Sequence, residues 1–164
     1  MTPTPQIRLA RVEDARPLAA CHVACWREAY TGIVPAERLA ELTTDLDVRT
    51  QRWLDILQSG PRPTWLATAA TRVLGFACSG PARDDDMTHL LELYALYVRA
   101  SEHGSGPADR LVQPAIGAAP AFPWVAAANP RAVSYYERIG FKADGGAKID
   151  HSLGGLREVR MVRP

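Results

Sequence analysis

The run His103-Gly104-Ser105-Gly106-Pro107-Ala108 constrains this chain more than any other stretch. It follows an apolar run from Leu90 to Val98, broken by the single acid Glu92, and precedes Ala108, Leu111, Val112, Ala115 and Ile116 at helical spacing. The order is therefore strand, small-residue turn, helix. Glycine lets the backbone approach a ligand closely, and successive N–H groups of such a turn form an anion nest. The helix that opens beside it adds unpaired N–H donors and a partial positive charge, so a phosphate fits there without any side chain. Pro107 suits the first helical position, where its missing N–H costs least. The spacing matches neither a P-loop, which needs Gly-Lys-Ser/Thr, nor a G-x-G-x-x-G dinucleotide fingerprint.

At 164 residues and 47% apolar content the chain reads as one domain spanning residues 1–164, with a core of its own. A formal net charge of +1, with Lys scarce beside Arg, gives no electrostatic case for nucleic acid. No apolar run approaches membrane-spanning length, so no membrane partner is expected. Residues 1–5 have neither a basic nor an apolar signal region and read as a frayed tail. Cys21, Cys25 and Cys78 are odd in number and read as small buried hydrophobes in a reducing cytoplasm, not as a disulfide scaffold or a metal site.

The remaining elements follow from period and punctuation. A short strand, Gln6 to Ala10, precedes a helix from about Glu13 to Ala29 with Leu18, Cys21, Cys25 and Ala29 on one face, stopped by Gly32. Helices are expected over Ala36–Leu42 and Asp47–Gln58, then a break at Gly60-Pro61-Arg62-Pro63. Thr64–Ala70 and Arg72–Ser79 read as a hairpin. Asp84-Asp85-Asp86 sits in a polar loop and reads as a solvated charge run, or more sharply as a patch that draws in a cationic amine. His89 to Val98 is apolar on both faces, hence a central strand. Its buried Glu92 is either a structural, hydrogen-bonded carboxylate or a general base. Phe122–Ala128 reads as one strand. It leads into a helix with Asn129 as N-cap, Pro130 at the first helical position, and Ala132, Val133, Tyr136 and Ile139 as its apolar face. Strands Phe141–Ile149 and Leu156–Val162 close the chain as an antiparallel hairpin.

Two stretches together resemble the GNAT superfamily of N-acetyltransferases. His103 to Ala108 is similar to the family's glycine motif, with Gly106 and Ala108 in the small positions and His103 where Gln or Arg is usual. Asn129, Ala132, Tyr135, Tyr136, Gly140 and Phe141 fill the later motif Asn-x-x-Ala-x-x-Phe/Tyr-Tyr-x-x-x-Gly-Phe without a gap. The openings Ile7-Arg8-Leu9 with Glu13-Asp14, and Trp26 with Tyr30 and Gly32, also look like this family.

The resemblance implies an α/β (α+β) fold: a mixed, twisted, mostly antiparallel sheet of about seven strands with helices on both faces. It implies a V-shaped splay between the strands ending at Val98 and Ala128. Acetyl-CoA is the implied co-substrate, with no metal. Its pantetheine arm would pair with Leu96, Tyr97 and Val98 as an added strand does. Its pyrophosphate would rest on His103, Gly104, Ser105, Gly106, Pro107 and Ala108, with Arg99 and Arg110 the nearest cations and Asn129 a further contact. Tyr136 matches the family's general acid, although helical period alone makes it a core aromatic. Glu92 stands where some members carry a base, and a central-strand amide such as Leu96 N–H would hold the thioester oxygen.

The acceptor site would form around Trp26, Tyr30, Ile33 and His151. It would take a primary amine of a small molecule or peptide: a small amine, an amino acid, an aminoglycoside-like antibiotic or a protein N-terminus. Homodimers are common in such a family, so a second copy of the chain is an implied partner. Two other readings compete. One is a catalytically silent acyl-CoA-binding sensor or partner-binding module, and the other a plain nucleotide-binding α/β domain.

Overall fold

The computed structural model describes residues 4–60 and 62–164. Met1, Thr2 and Pro3 of the expected tail, and Pro61 of the expected break, lie outside the described residues.

Strand β1 (Gln6–Leu9) leads into helices α1 (Ala15–Tyr30), α2 (Ala36–Thr44) and α3 (Leu46–Ser59). Strands β2 (Thr64–Ala69), β3 (Arg72–Pro81) and β4 (Leu91–Val98) follow, then helix α4 (Pro107–Ala115). Strands β5 (Ala121–Phe122) and β6 (Trp124–Ala126), helix α5 (Pro130–Arg138), and strands β7 (Lys142–Asp150) and β8 (Leu156–Val162) complete the chain. One sheet has the order β1-β2-β3-β4-β5, antiparallel except for β4-β5. The other has the order β6-β8-β7, antiparallel throughout.

Helices cover both faces, as expected. Leu18 and Cys25 of α1 and Trp53 of α3 pack on Leu66 and Phe76 of the first sheet. On the opposite face Leu111, Val112 and Ala115 of α4, with Tyr136 of α5, pack on Ala67, Ala77 and Leu93. The local signals act as read: Asn129 caps α5 by accepting from Ala132 N–H at 3.1 Å, and Asp45 caps α3 by accepting from Val48 N–H at 3.0 Å.

The structure departs from expectation between residues 121 and 128. In place of one strand there are two, in different sheets, giving eight strands among the described residues instead of about seven. Ala121 and Phe122 pair with Leu91 and Glu92 of β4, while Trp124–Ala126 pairs with Arg160–Glu158 of β8. Pro123 stands at the break. Proline has no N–H to extend the ladder, so pairing with β4 stops there. The two sheets stay joined through β8, because Arg163 N–H donates to Ala121 O at 2.9 Å and Met161 N–H to Pro123 O at 3.2 Å.

Near the start of the chain, Arg8 grips both carboxylate oxygens of Asp14 at 2.7 and 2.8 Å, and Arg11 N–H adds a third bond at 2.7 Å. The Arg8 hydrogen bonds hold the Asp14 carboxyl below the ordinary range against the opposing effect of burial. A depressed folded-state pKa contributes stability above the unfolded value and loses it as pH falls through the folded one. We therefore expect Asp14→Asn to lose roughly 1–3 kcal/mol at neutral pH. Denaturant unfolding followed from pH 7 down to pH 2 should show the wild-type advantage shrinking towards zero below about pH 4.

Candidate active site

The break at Pro123 opens a cleft. Beyond the pair Glu92–Phe122, residues 93–98 of β4 have no strand on their second edge among the described residues. Arg99 N–H bonds back to Leu74 O on the β3 side at 2.8 Å, so strand alternation turns the N–H and C=O of Leu96 and Val98 towards the open edge. Cys78 pairs with Ala95 but Ser79 pairs with Leu93, which leaves Tyr94 as the extra residue of a β-bulge. The resulting cleft measures about 280 Å³ and runs between β4 and β6, with α1 on one side and α5 on the other.

At one end lies the glycine turn. Gly104 and Gly106 have φ of +79° and +96°, and a Cβ added to either would meet nothing within 4 Å. The N–H groups of His103 and Ser105 are taken by Ala100 O and Glu102 O. Those of Gly104 and Gly106 have no such partner among the described residues, and Ala108, in the first turn of α4, has none within the helix. Three donors of the turn are therefore without a backbone acceptor among the described residues. Pro107 is the first residue of α4, as expected.

His103 and Ala108 line the cleft beside this turn. His103 Nε2 lies 2.9 Å from Val98 O. A carbonyl only accepts, so Nε2 carries the proton there. Burial lowers the His103 pKa, which favours this neutral donor form.

Tyr136 lines the middle of the cleft from α5, beside Leu96 and Pro123. Its ring packs edge-on against Tyr135 and Phe141 at 5.4 and 5.6 Å, so it is a core aromatic as well as a wall residue. Its hydroxyl has no hydrogen-bond partner among the described residues, and burial raises its pKa far above the ordinary phenol value. It is a protonated donor with nothing to donate to. Tyr30 reaches the same cleft from α1, its hydroxyl 2.8 Å from that of Tyr97.

Several expected site residues lie elsewhere. Glu92 is 2% exposed, and Arg83 takes both of its oxygens, through the guanidinium at 2.6 and 3.2 Å and the backbone N–H at 2.8 Å. Glu92 does not line the cleft, and Arg83 leaves neither of its oxygens free, the arrangement of a structural carboxylate. Trp26 and Ile33 pack behind the cleft wall in the cluster of Tyr30, Tyr97 and Ala126 and do not line the cleft, so only Tyr30 of that trio reaches it. His151 is exposed in a one-turn helix outside the cleft. Arg99 is paired with Glu28 at 2.9 Å and Arg110 bonds Pro5 O, so neither of the two expected cations is free. The Asp84-Asp85-Asp86 loop is not simply solvated: Arg160 holds Asp84 and Asp86 at 3.4 and 3.0 Å.

Against this geometry, the sequence model of the Acetyltransferase (GNAT) family matches residues 25–141. The chain belongs to that family. A probable N-acetyltransferase of Mycobacterium tuberculosis is 28% identical over 156 residues, covering 92% of this chain and 87% of that protein. The PaiA N-acetyltransferase from Thermoplasma acidophilum, solved in complex with coenzyme A, superposes with a TM-score of 0.75 at 18% identity over 98% of this chain and 99% of the other. The ribosomal-protein-alanine N-acetyltransferase from Brucella melitensis gives 0.71 at 23% identity over 96% and 98%.

Within this GNAT chain, sequence reasoning missed Arg131, Trp124 and Glu158. Arg131 lies inside the Asn129–Phe141 motif and lines the cleft opposite the glycine turn; its place in the first turn of α5 was the available signal. Trp124 lines the opposite end. Glu158 sits on β8 across from the cleft-lining Ala126, and burial raises its pKa. Only strand pairing brings Glu158 beside the cleft-lining Ala126, so no local signal marks it.

If Glu92 is structural, Glu92→Gln leaves Arg83 short of its counter-charge. We expect urea unfolding to show a loss of roughly 2 kcal/mol, because Arg83 keeps partial access to water.

Proposed function

We propose that the chain acts as one domain that moves an acetyl group from acetyl-CoA to a primary amine, by direct attack in a ternary complex. The observation that carries this reading is the unpaired β4 edge, which leads from three free turn donors to the unpartnered Tyr136 hydroxyl. The coenzyme A held by the Thermoplasma relative supports the choice of cofactor.

The residues fit the group. Gly104, Gly106 and Ala108 N–H groups would receive pyrophosphate oxygens, with Arg131 adding positive charge from α5. Val98 offers its outward N–H to a pantetheine amide. His103 already occupies the Val98 carbonyl, so Leu96 carries the free carbonyl. Asn129 lines the same wall but its side-chain oxygen is used in capping α5. When bound, acetyl-CoA supplies the activated acyl carbonyl and a thiolate leaving group. Leu96 N–H would donate to the carbonyl oxygen as charge grows on it. Tyr136, held protonated by burial, would donate to the departing sulfur as the C–S bond breaks, while the attacking amine gives its proton to solvent water. The acceptor approaches from the Tyr30 and Trp124 end. Buried free cysteines fit a reducing compartment.

Tyr136→Phe should lower the turnover number by roughly 100-fold or more in an assay of thiol release from acetyl-CoA over a panel of primary amines. Its acetyl-CoA affinity should stay within about twofold of wild type. Arg131→Ala should instead weaken CoA binding by roughly tenfold, an effect that shrinks as salt is raised. The silent acyl-CoA-binding module is the second reading, favoured by the locked Glu92. It predicts thermal stabilisation by CoA with no thiol release from any amine.

A further inference from the structure

The open face of the β6-β8-β7 sheet carries a primary ammonium in a defined seat. Lys148 Nζ stands 4.3 Å from the ring centroid of Trp124 and 3.6 Å from Glu158 Oε2. Strand register explains the meeting: Lys148 and Ala126 both pair with Glu158, and Trp124 pairs with Arg160, so these side chains share one face. Trp124 is fixed in place, its Nε1–H donating to Asp84 Oδ2 at 2.9 Å. Both Trp124 and Ala126 line the cleft.

The two halves of the seat differ in mobility. The Glu158 side chain is 12% exposed and that of Lys148 42% exposed. Lys148 reaches in on a flexible stem from an edge strand that carries a bulge between Ala143 and Ala147. Its 3.6 Å contact is longer than a tight charge-assisted hydrogen bond, and Glu158 has no other donor among the described residues. The charged and titratable groups around Glu158 are Lys148 and Asp150 from β7, Arg83 from the β3–β4 connection, and the hydroxyls of Tyr30 and Tyr97. Arg83 is committed to Glu92, and both phenols stay protonated. Arg160 also stands 5.6 Å from the Trp124 ring, but Asp84, Asp86 and Asp144 hold its guanidinium, so the largely desolvated Glu158 carboxylate is left with one loosely held cation.

We propose that the Trp124 face and the Glu158 carboxylate form the seat for the acceptor's ammonium, and that Lys148 fills it as an internal stand-in until an acceptor displaces it. The proposal rests on the amine acetylation proposed above and specifies its acceptor: a primary ammonium on an unbranched alkyl stem, three donors for Glu158 and a charge for the indole. A linear alkylamine and a peptide lysine share this chemistry.

The test uses the full-length protein saturated with CoA and follows the Trp124 indole N–H resonance, assigned with Trp124→Phe. n-Butylammonium chloride is titrated into wild type, Lys148→Met, and Lys148→Met combined with Glu158→Gln. Removing the competing ammonium should tighten binding by roughly tenfold, and the added Glu158→Gln should abolish that gain. In Lys148→Met, neutral 1-butanol should bind at least tenfold more weakly than n-butylammonium, a comparison that needs no change at Glu158. Equal affinity of wild type and Lys148→Met, or equal binding of the alcohol and the ammonium, overturns the seat. A lysine-containing hexapeptide run beside n-butylammonium tells which source of the ammonium binds tighter. Thiol release measured with the same amines separates the two claims. Glu158-dependent binding without release sinks acetyl transfer and keeps the seat, and release with Glu158-independent binding does the opposite.

Discussion

An unpaired strand edge beside apolar walls is costly, and residues 93–98 of β4 form one. Several features keep that edge open and in shape. Pro123 denies the neighbouring chain the donor that would extend the β4–β5 ladder. The bulge at Tyr94 bends β4 away, and Gly80 makes room for it, since a Cβ there would stand 2.7 Å from the Tyr94 hydroxyl. Gly75 does the same further along, where a Cβ would come within 2.7 Å of Tyr97 O. His103 then satisfies one exposed carbonyl, that of Val98. The cleft is thus a property of backbone pairing, and the side chains that line it are placed by where pairing stops.

That dependence explains how much could be read from the sequence. The strand–turn–helix at residues 91–115, the Asn129 cap, the Pro130 start and the closing hairpin are local patterns, and each forms within a residue or two of its expected bounds. The two halves of the 121–126 segment are alike in composition. What separates them is which strand each meets, and neither β4 nor β8 is near in sequence. Glu92 was ambiguous for the same reason. Burial alone fits a base or a structural acid, and only the position of Arg83, nine residues away across the β3–β4 connection, decides between them. Glu158 carried no mark because an acid in an alternating strand looks like a solvated residue.

The ends of the cleft have opposite electrostatic character. Backbone N–H groups and Arg131 make the glycine-turn end a place for anions. Beside the Trp124 and Ala126 wall Glu158 is short of donors, whereas Glu92 is held by Arg83, and Asp84, Asp86 and Asp144 by Arg160. The burial that raises the Glu158 pKa also makes it a better proton acceptor than a solvated carboxylate.

The choice of cation bears on that end of the cleft. Lys142 and Lys148 are the chain's two lysines, and the ion pairs around the cleft are built from arginine, among them Arg83–Glu92, Arg99–Glu28 and Arg160–Asp144. A guanidinium stays charged and presents no primary amine, so these arginines are not acetylated as amines, and Arg160, though 5.6 Å from the Trp124 ring, is held by acids of its own. Lys148 breaks that pattern at Glu158, a carboxylate with no arginine partner among the described residues. A tightly bound cation would hold Glu158 permanently, and one on a flexible stem at 3.6 Å leaves the carboxylate available while limiting the exposure of a bare, desolvated charge.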